Sequence, residues 1–306
     1  MKFKLHLDRL VLKQKESKSS ILNSLLWLTP ALILVVMFSY FAIFTVFKSS
    51  TNEYESYWTY VFTFKNYGTL FRDKSFLIAL RNSLIFVVTV IPISLFLSIL
   101  ISKFISNILN KKAFSFFQTI FFIPYVTSTI AVTMAFAIIF SPSGGILNSI
   151  LQSLGIGNIN WFSKGWALVM ILIFGIWTLM PFQILLLTGS FVRVNNKYYR
   201  AASIDGMSNF KQLFKITLPL IRQTIFYLIT LGIISSFKIF PIGLFESYNQ
   251  TSLLEAQTLV SYIYDRLNGI DGIRDYKLSS TASVVLMFII LLMTIINSLI
   301  SKRVGR

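Results

Sequence analysis

The sequence has no cysteine and a single histidine, His6, among its 306 residues. A disulfide framework and a thiolate metal site are therefore excluded, and His6, in a basic N-terminal arm, is expected to be solvated. Acidic residues are scarce as well, since 11 Asp and Glu stand against 28 Lys and Arg. A soluble domain carries about 25% charged residues. This chain has 13% charged and 55% hydrophobic residues, which indicates a membrane protein.

Motifs for enzyme chemistry are also missing. The sequence has no G-x-x-x-x-G-K-[ST] phosphate loop, no H-E-x-x-H and no G-x-S-x-G. Proton-coupled carriers place acids inside the membrane, but here each Asp and Glu lies in a predicted loop or near an interface. We therefore expect no catalytic, cofactor-binding or metal-binding residue in this chain, and an energy source outside it.

Long apolar runs are what the sequence does have. A spanning helix needs about 20 mostly apolar residues, and the runs that qualify lie near residues 21–47, 84–101, 114–140, 166–187, 224–245 and 281–300. The first is longer than the apolar part of a signal peptide and is interpreted as an uncleaved span. The pattern predicts an all-α integral membrane protein, with a basic arm at 1–20, a six-helix domain at 21–301 and a short tail at 302–306.

Lys and Arg concentrate in alternate connections. The N-terminal arm, the stretches around 102–113 and 190–223 and the tail are basic, whereas acids collect in 48–77 and 246–280. The positive-inside rule places the basic stretches and both termini in the cytoplasm of a bacterial cell membrane. The net charge of +17 is then explained by topology, which argues against a nucleic-acid partner.

A polar stretch, YYRAASIDGMSNFKQLFKITLPL at residues 198–220, joins the fourth and fifth runs. Ala201 and Ala202 favour a short helix, and Gly206 can end it because glycine adopts the left-handed conformation. A second helix can begin with Ser208 as its N-cap. The resulting helical hairpin is either a plain connector or a docking element, and the residues alone leave both interpretations open.

The same stretch resembles the E-A-A-x-x-x-G-x(9)-I-x-L-P signature of the membrane subunits of binding-protein-dependent ABC importers. FKNYGTLFRDKSFLIALRNSLIFVV, FFQTIFFIPYVTSTIAVTMAFAIIFSPSGGILNSIL and SSFKIFPIGL are similar to the sugar-type permeases of the maltose and glycerol-phosphate group. The resemblance covers about residues 60 to 300 and departs at Arg200, where the family has Glu. It also departs after the fifth run, where ESYNQTSLLEAQ replaces a G-G-P stretch.

The resemblance implies the type I importer architecture, with a coupling hairpin at 198–215 that contacts an ATPase. The residues that it assigns to coupling are Tyr199, Arg200, Ala201, Ala202, Asp205, Gly206, Leu218 and Pro219. The implied partners are a second homologous permease, an ABC ATPase dimer that binds ATP and Mg, an extracytoplasmic solute-binding protein, membrane lipid and a sugar-type solute. The alternatives are the same machinery for glycerol phosphate or another polar solute, and a stand-alone secondary transporter or membrane enzyme.

Small and polar residues recur at one-turn spacing within three of the runs. Such residues are favoured where membrane helices pack, so packing is one interpretation. The resemblance places a sugar path in the corresponding helices, which is the other. The candidate path residues are Tyr125, Ser128, Gly175, Thr178, Leu179, Phe182, Gly232, Ser235 and Ser236. Trp177 and Gln183 are secondary candidates, and an anionic solute would bring in Lys238 or Arg81.

The predicted orientation is testable with single cysteines, which the chain otherwise lacks. A cysteine introduced at Ser106 or Lys197 is expected to resist an impermeant thiol reagent added outside intact cells, because both positions lie in basic connections. A cysteine at Glu53, in an acidic connection, is the control and is expected to react. Labelling at Ser106 or Lys197 from outside contradicts the topology.

Overall fold

The computed structural model describes residues 23–54, 59–240, 243–245, 248–269 and 274–304, and these ranges are almost entirely helical. In chain order the helices are α1 (Asn23–Ser50), α2 (Lys65–Leu70), α3 (Lys74–Ser106), α4 (Lys111–Val126), α5 (Thr129–Ile139), α6 (Ile146–Ser153), α7 (Trp166–Arg193), α8 (Asn196–Ile204), α9 (Asn209–Leu220), α10 (Arg222–Phe237), α11 (Tyr248–Leu253), α12 (Leu259–Asn268) and α13 (Tyr276–Val304).

Four of the predicted spans correspond to single long helices, α1, α3, α7 and α13, each apolar and long enough to cross a membrane. Helix α3 begins well before the predicted start at residue 84. The Asp73 side chain caps it by accepting a hydrogen bond from the Ser75 amide at 2.9 Å. Arg81 and Asn82 make the first turns too polar for a hydropathy window, which explains the late predicted start.

The third predicted span is a bent pair of helices, and the fifth corresponds to α10, which follows α9 at a second bend. Helices α4 and α5 meet at 98°, and α9 and α10 meet at 74°. The first bend falls where Thr127 is extended, after Pro124 inside α4. Helix α10 ends at Phe237 rather than near residue 245, and Pro241 of the predicted run lies outside the described residues. The all-helical six-span fold class is confirmed.

Helices α3 and α7 form the most extensive helix contact of the described chain. Buried serines recur on α3 at one-turn spacing and face α7. Ser98 Oγ donates to Gln183 Oε1 at 2.9 Å, and Gln183 Nε2 donates to Ser94 Oγ at 3.2 Å. Ser102 Oγ donates to the Ile184 carbonyl at 3.1 Å. These bonds fix the register of the two helices, since hydrocarbon offers no alternative partner to a polar group.

The segment that carries α11 and α12 is bound to the N-terminal part of α3. Buried Asn82 donates from Nδ2 to the carbonyls of Glu255 at 2.8 Å and Gln257 at 3.0 Å. Ser83 Oγ accepts from the Leu259 amide at 2.9 Å. The ESYNQTSLLEAQ stretch, in which the sequence departs from the G-G-P pattern, thus leads into a segment with its own specific attachment.

An ionic contact completes this attachment. The Asp73 carboxylate accepts from the Tyr262 hydroxyl at 2.7 Å and from the Arg266 guanidinium at 3.0 Å. Burial, reinforced by the neighbouring Asp73 carboxylate, raises the pKa of Tyr262 well above its ordinary value. Tyr262 therefore stays a neutral hydrogen-bond donor, and Asp73 joins α12 to the beginning of α3.

Candidate functional site

A cavity of about 350 Å³ lies where the α4–α5 bend faces α7 and α10. It is lined by Pro124, Tyr125, Thr127, Thr129, Val132, Phe174, Trp177, Thr178, Leu179, Phe182, Gln183, Leu228, Leu231, Gly232 and Ser235. The volume is within the range of about 300–1,000 Å³ that small-molecule sites occupy. The lining combines aromatic rings with a few hydroxyl groups and one amide, which is the composition of an uncharged polar ligand site.

Aromatic stacking builds one wall of the cavity. The Tyr125 ring stacks on Phe182, with centroids 5.4 Å apart, and on Phe122, with centroids 5.3 Å apart. Trp177 is held by Phe136 at 5.1 Å between centroids. Because each ring is supported by another, the wall presents flat apolar surfaces in fixed orientations.

The polar groups of the lining differ in how much of their hydrogen-bonding capacity is already used within the protein. Thr178 Oγ1 donates to the Phe174 carbonyl at 2.8 Å, and Thr127 Oγ1 donates to the Ile123 carbonyl at 3.0 Å, so both keep acceptor capacity. The Gln183 amide is engaged by Ser94 and Ser98 and is buried. Ser235 is exposed at the cavity.

The structure brings most of the predicted path residues together at this cavity. Its lining contains six of them, Tyr125, Thr178, Leu179, Phe182, Gly232 and Ser235, together with the secondary candidates Trp177 and Gln183. Ser128, Gly175 and Ser236 do not line it. Whether the lining residues contact a solute stays a prediction.

Each of the three absent residues has a physical reason to lie elsewhere. Gly175 faces α3, where an added Cβ would overlap the buried Phe86 ring, so this glycine serves helix packing. Ser236 is 1% exposed, because it is rotated by about 100° from Ser235 around the helix. Ser128 is the exposed residue at which α5 begins.

Residues around the bend were missed by the sequence analysis. Pro124, Thr127, Thr129 and Val132 line the cavity because the chain changes direction there, and a straight span would have distributed them around a helix. The signal that was available is Pro124 followed by Thr127 and Ser128, since proline and hydroxyl residues accompany broken membrane helices.

The polar stretch between α7 and α10 is a helical hairpin, as expected. Asn195 caps α8 by accepting from the Lys197 amide at 3.0 Å, and Ser208 caps α9. Gly206 has φ +73°, the left-handed conformation at which glycine ends a helix. Gln212 Nε2 donates to Ser203 Oγ at 3.0 Å, which ties the two arms together.

The predicted coupling residues differ in where they face. Ala202 is 6% exposed and packs inside the hairpin, whereas Ala201 and Arg200 are exposed on its surface. Half-buried Tyr199 shares a hydrogen bond of 2.8 Å with Thr217. The remaining coupling candidates lie at the turn or at the end of α9, and these are Asp205, Gly206, Leu218 and Pro219.

The hairpin exposes large apolar side chains. Ile204 is 86% exposed, and the Phe210 and Phe214 rings contact each other at 4.9 Å between centroids while remaining exposed. Clustered apolar surface of this kind marks an interaction surface. Leu213, next to Phe214 in the chain, is 5% exposed and packs toward α7.

The described helices form a bundle with a cavity at the α4–α5 bend and a hairpin between α7 and α10. The chain belongs to the family described as the binding-protein-dependent transport system inner membrane component, which it matches over residues 95–306. The family confirms the resemblance stated above and makes this protein a transport subunit of the membrane.

Relatives extend the similarity beyond the family region. A probable ABC transporter permease protein of Mycoplasma pneumoniae is 34% identical over 261 residues, which is 82% of this chain and 78% of that protein. The arabinooligosaccharides transport system permease protein of Bacillus subtilis is 30% identical over 245 residues, or 76% of this chain and 73% of the relative.

A solved structure shares the fold over nearly the full length. It is a chain of a bacterial ABC transporter involved in the import of the acidic polysaccharide alginate. The TM-score is 0.80 at 22% identity, and the match covers 96% of this chain and 99% of that chain. At this identity the likeness shows that the fold is shared.

The packing role of Gly175 is testable against a second glycine of α7. Gly175→Ala is expected to lower the free energy of unfolding by about 1–3 kcal/mol, because the methyl group overlaps the Phe86 ring. Gly189→Ala is the control, since no atom lies within 4 Å of its added Cβ and alanine favours the helix by about 1 kcal/mol. Thermal unfolding of both variants decides, and equal stability would remove Gly175 from the packing interface.

Proposed function

We propose that this chain is one of two permease subunits of an ATP-driven importer for a sugar or oligosaccharide. A solute-binding protein delivers the solute at the outer face, and an ATPase dimer in the cytoplasm drives alternating access. The observation that carries this proposal is the aromatic and hydroxyl-lined cavity at the α4–α5 bend. A relative that is 30% identical is named for arabinooligosaccharide transport, which supports the solute class.

The chemistry of the lining favours a carbohydrate. A sugar ring has apolar C–H faces that pack on aromatic rings and hydroxyl groups that exchange hydrogen bonds at its edge. Tyr125, Phe182 and Trp177 supply the ring surfaces, and Thr178 and Ser235 supply hydroxyl groups. A site of this kind binds by many weak contacts, which suits a permease that must release its solute.

An anionic solute fits the described cavity less well. A relative in Escherichia coli, 25% identical over 233 residues, is an sn-glycerol-3-phosphate transport system permease protein. Among the described residues that line this cavity, however, there is no Lys or Arg to compensate a phosphate. Arg81 and Lys238 lie outside the lining. A buried anion without a cation is costly, so this half of the path suits a neutral solute.

The hairpin supports the coupling part of the proposal. Its two arms are held by the Gln212 and Tyr199 hydrogen bonds, so it can move as a unit. It connects directly to α7 and α10, which both line the cavity. A displacement imposed on the exposed Ile204 and Phe210 by an ATPase would therefore reach the solute path through the backbone.

The basic connections support the proposed orientation. Helix α7 ends at Arg193, and the hairpin that follows it carries Lys197, Arg200, Lys211 and Lys215. The positive-inside rule then places the hairpin and both termini in the cytoplasm, where ATP is available.

The solute path is tested by a matched pair of serine variants. Ser235→Trp is expected to lower solute uptake at least tenfold while the complex still assembles, because the indole fills part of the cavity that Ser235 lines. Ser236→Trp, one residue away but 1% exposed, is expected to reduce assembly as well, since overpacking costs about 1–3 kcal/mol. Uptake and subunit copurification are both measured. Normal uptake by Ser235→Trp would show that the cavity lies off the path.

The coupling role is tested by the two neighbouring alanines. Ala201→Trp adds bulk to an exposed position and is expected to leave the chain folded but to release the ATPase. Ala202→Trp is expected to destabilise the hairpin itself, because Ala202 is 6% exposed. ATPase copurification and thermal stability separate the two effects. An ATPase that stays bound and active with Ala201→Trp would leave the hairpin as a plain connector, and no copurifying ATPase with the unaltered chain would favour a secondary transporter.

A further inference from the structure

A second cavity, of about 680 Å³, lies between the C-terminal end of α3, the end of α7 and the inner side of the hairpin. Lys103 of α3 and Arg200 of α8 both line it, together with polar side chains that include Asn107 and Asn196. No Asp or Glu is present among the described residues of this lining. The cavity is therefore electropositive and rich in hydrogen-bond donors.

The two cations have no counter-charge in the described chain. Lys103 is half-buried, and its Nζ lies 5.1 Å from the centroid of the Tyr199 ring. The ion pairs of the described residues lie elsewhere, at Glu53, Asp73 and Glu255. Half-buried Lys103 has no acidic partner in this lining, and a bound anion would supply one.

The aromatic ring that contacts Lys103 is itself held in place. Tyr199 is held by its hydrogen bond with Thr217, so the aromatic face under the ammonium group has a fixed position. Arg200 adds a planar guanidinium, which matches the oxygens of a phosphate group. The groups that this lining offers to a phosphate are the Lys103 ammonium, the Arg200 guanidinium and the amide donors of Asn107 and Asn196.

The position of the cavity indicates the source of the phosphate. Lys103 lies in the last turn of the spanning helix α3, and Val192 lies near the end of α7. Phe104, next to Lys103, is 65% exposed, and Val192, in the lining, is 59% exposed. Apolar surface beside a basic pocket at the end of a span is where a phospholipid places its chains and its headgroup.

We propose that this cavity binds the phosphate headgroup of an anionic phospholipid, with Lys103 and Arg200 as the recognising cations. Phe210 and Phe214 do not line it, whereas Arg200 and Ile204 do, so the lipid site borders the surface proposed for the ATPase. The site is independent of the transported solute, and the lipid would stiffen the junction between α3 and the hairpin.

The test is a lipid titration of the purified full-length chain in detergent, followed by the rise in Tm. Phosphatidylglycerol is expected to raise the Tm of the unaltered chain, whereas phosphatidylcholine and inorganic phosphate are not. Lys103→Gln is expected to weaken the apparent affinity about fivefold, the factor for about 1 kcal/mol per basic residue. The double variant Lys103→Gln with Arg200→Gln is expected to weaken it about thirtyfold.

Matched variants keep the result specific. Lys111→Gln removes one exposed charge of the same connection outside the cavity and is expected to titrate like the unaltered chain. Lys103→Arg keeps the charge and is expected to retain most of the response, which separates a lost site from a misfolded chain. Equal responses of Lys103→Gln and Lys111→Gln would overturn the proposal.

Two further outcomes would also overturn it. An equal shift with inorganic phosphate would make this a soluble-anion site. Loss of ATPase binding by Lys103→Gln, with an unchanged lipid response, would assign the cavity to the subunit interface instead. Neither outcome bears on the cavity at the α4–α5 bend, which is tested by the Ser235→Trp variant.

Discussion

Hydrocarbon cannot hydrogen-bond the backbone, and this constraint organises the protein. Each stretch that crosses the membrane has to satisfy its amides and carbonyls internally, which leaves helix as the one option for an unpaired segment. Where a span breaks, between α4 and α5 at 98°, side chains have to take over. At this break Thr127 donates to the Ile123 carbonyl, and the cavity opens there. The break between α4 and α5 thus interrupts the span and also brings polar groups to the cavity.

Helices α1, α3, α7 and α13 could be predicted from the sequence because hydropathy over one span is a local property. The bends could not. Proline occurs inside four helices of candidate spans, at Pro30, Pro92, Pro124 and Pro181, yet among these only the span with Pro124 is broken. Helices α3 and α7, which contain Pro92 and Pro181, pack against each other, whereas α1 stays unbroken without such support. A proline in the sequence marks a place where a break is tolerated and leaves open whether one occurs.

In the candidate site, too, some residues could be predicted from the sequence and others could not. Helical spacing correctly grouped Thr178, Leu179 and Phe182, which share a face of α7. It could not tell which helix that face meets, so Gly175, on the same spacing, was grouped with them although it packs against Phe86. For adjacent residues of the same type, it was harder still to predict which one faces the cavity. Ser235 and Ser236 differ by a rotation about the helix axis, and only tertiary packing determines which of the two is buried.

The serine bonds between α3 and α7 limit how this bundle can deform. With Ser94, Ser98 and Ser102 each engaged across the contact, sliding one helix past the other would break several hydrogen bonds together in a medium that cannot replace them. Helices α3 and α7 are therefore expected to move together as one rigid unit. A change in the width of the cavity would then involve the helices around α3 and α7. The chain changes direction most sharply between α4 and α5 and between α9 and α10. The contact between α3 and α7 is thus held in register by serines, which are among the smallest polar side chains.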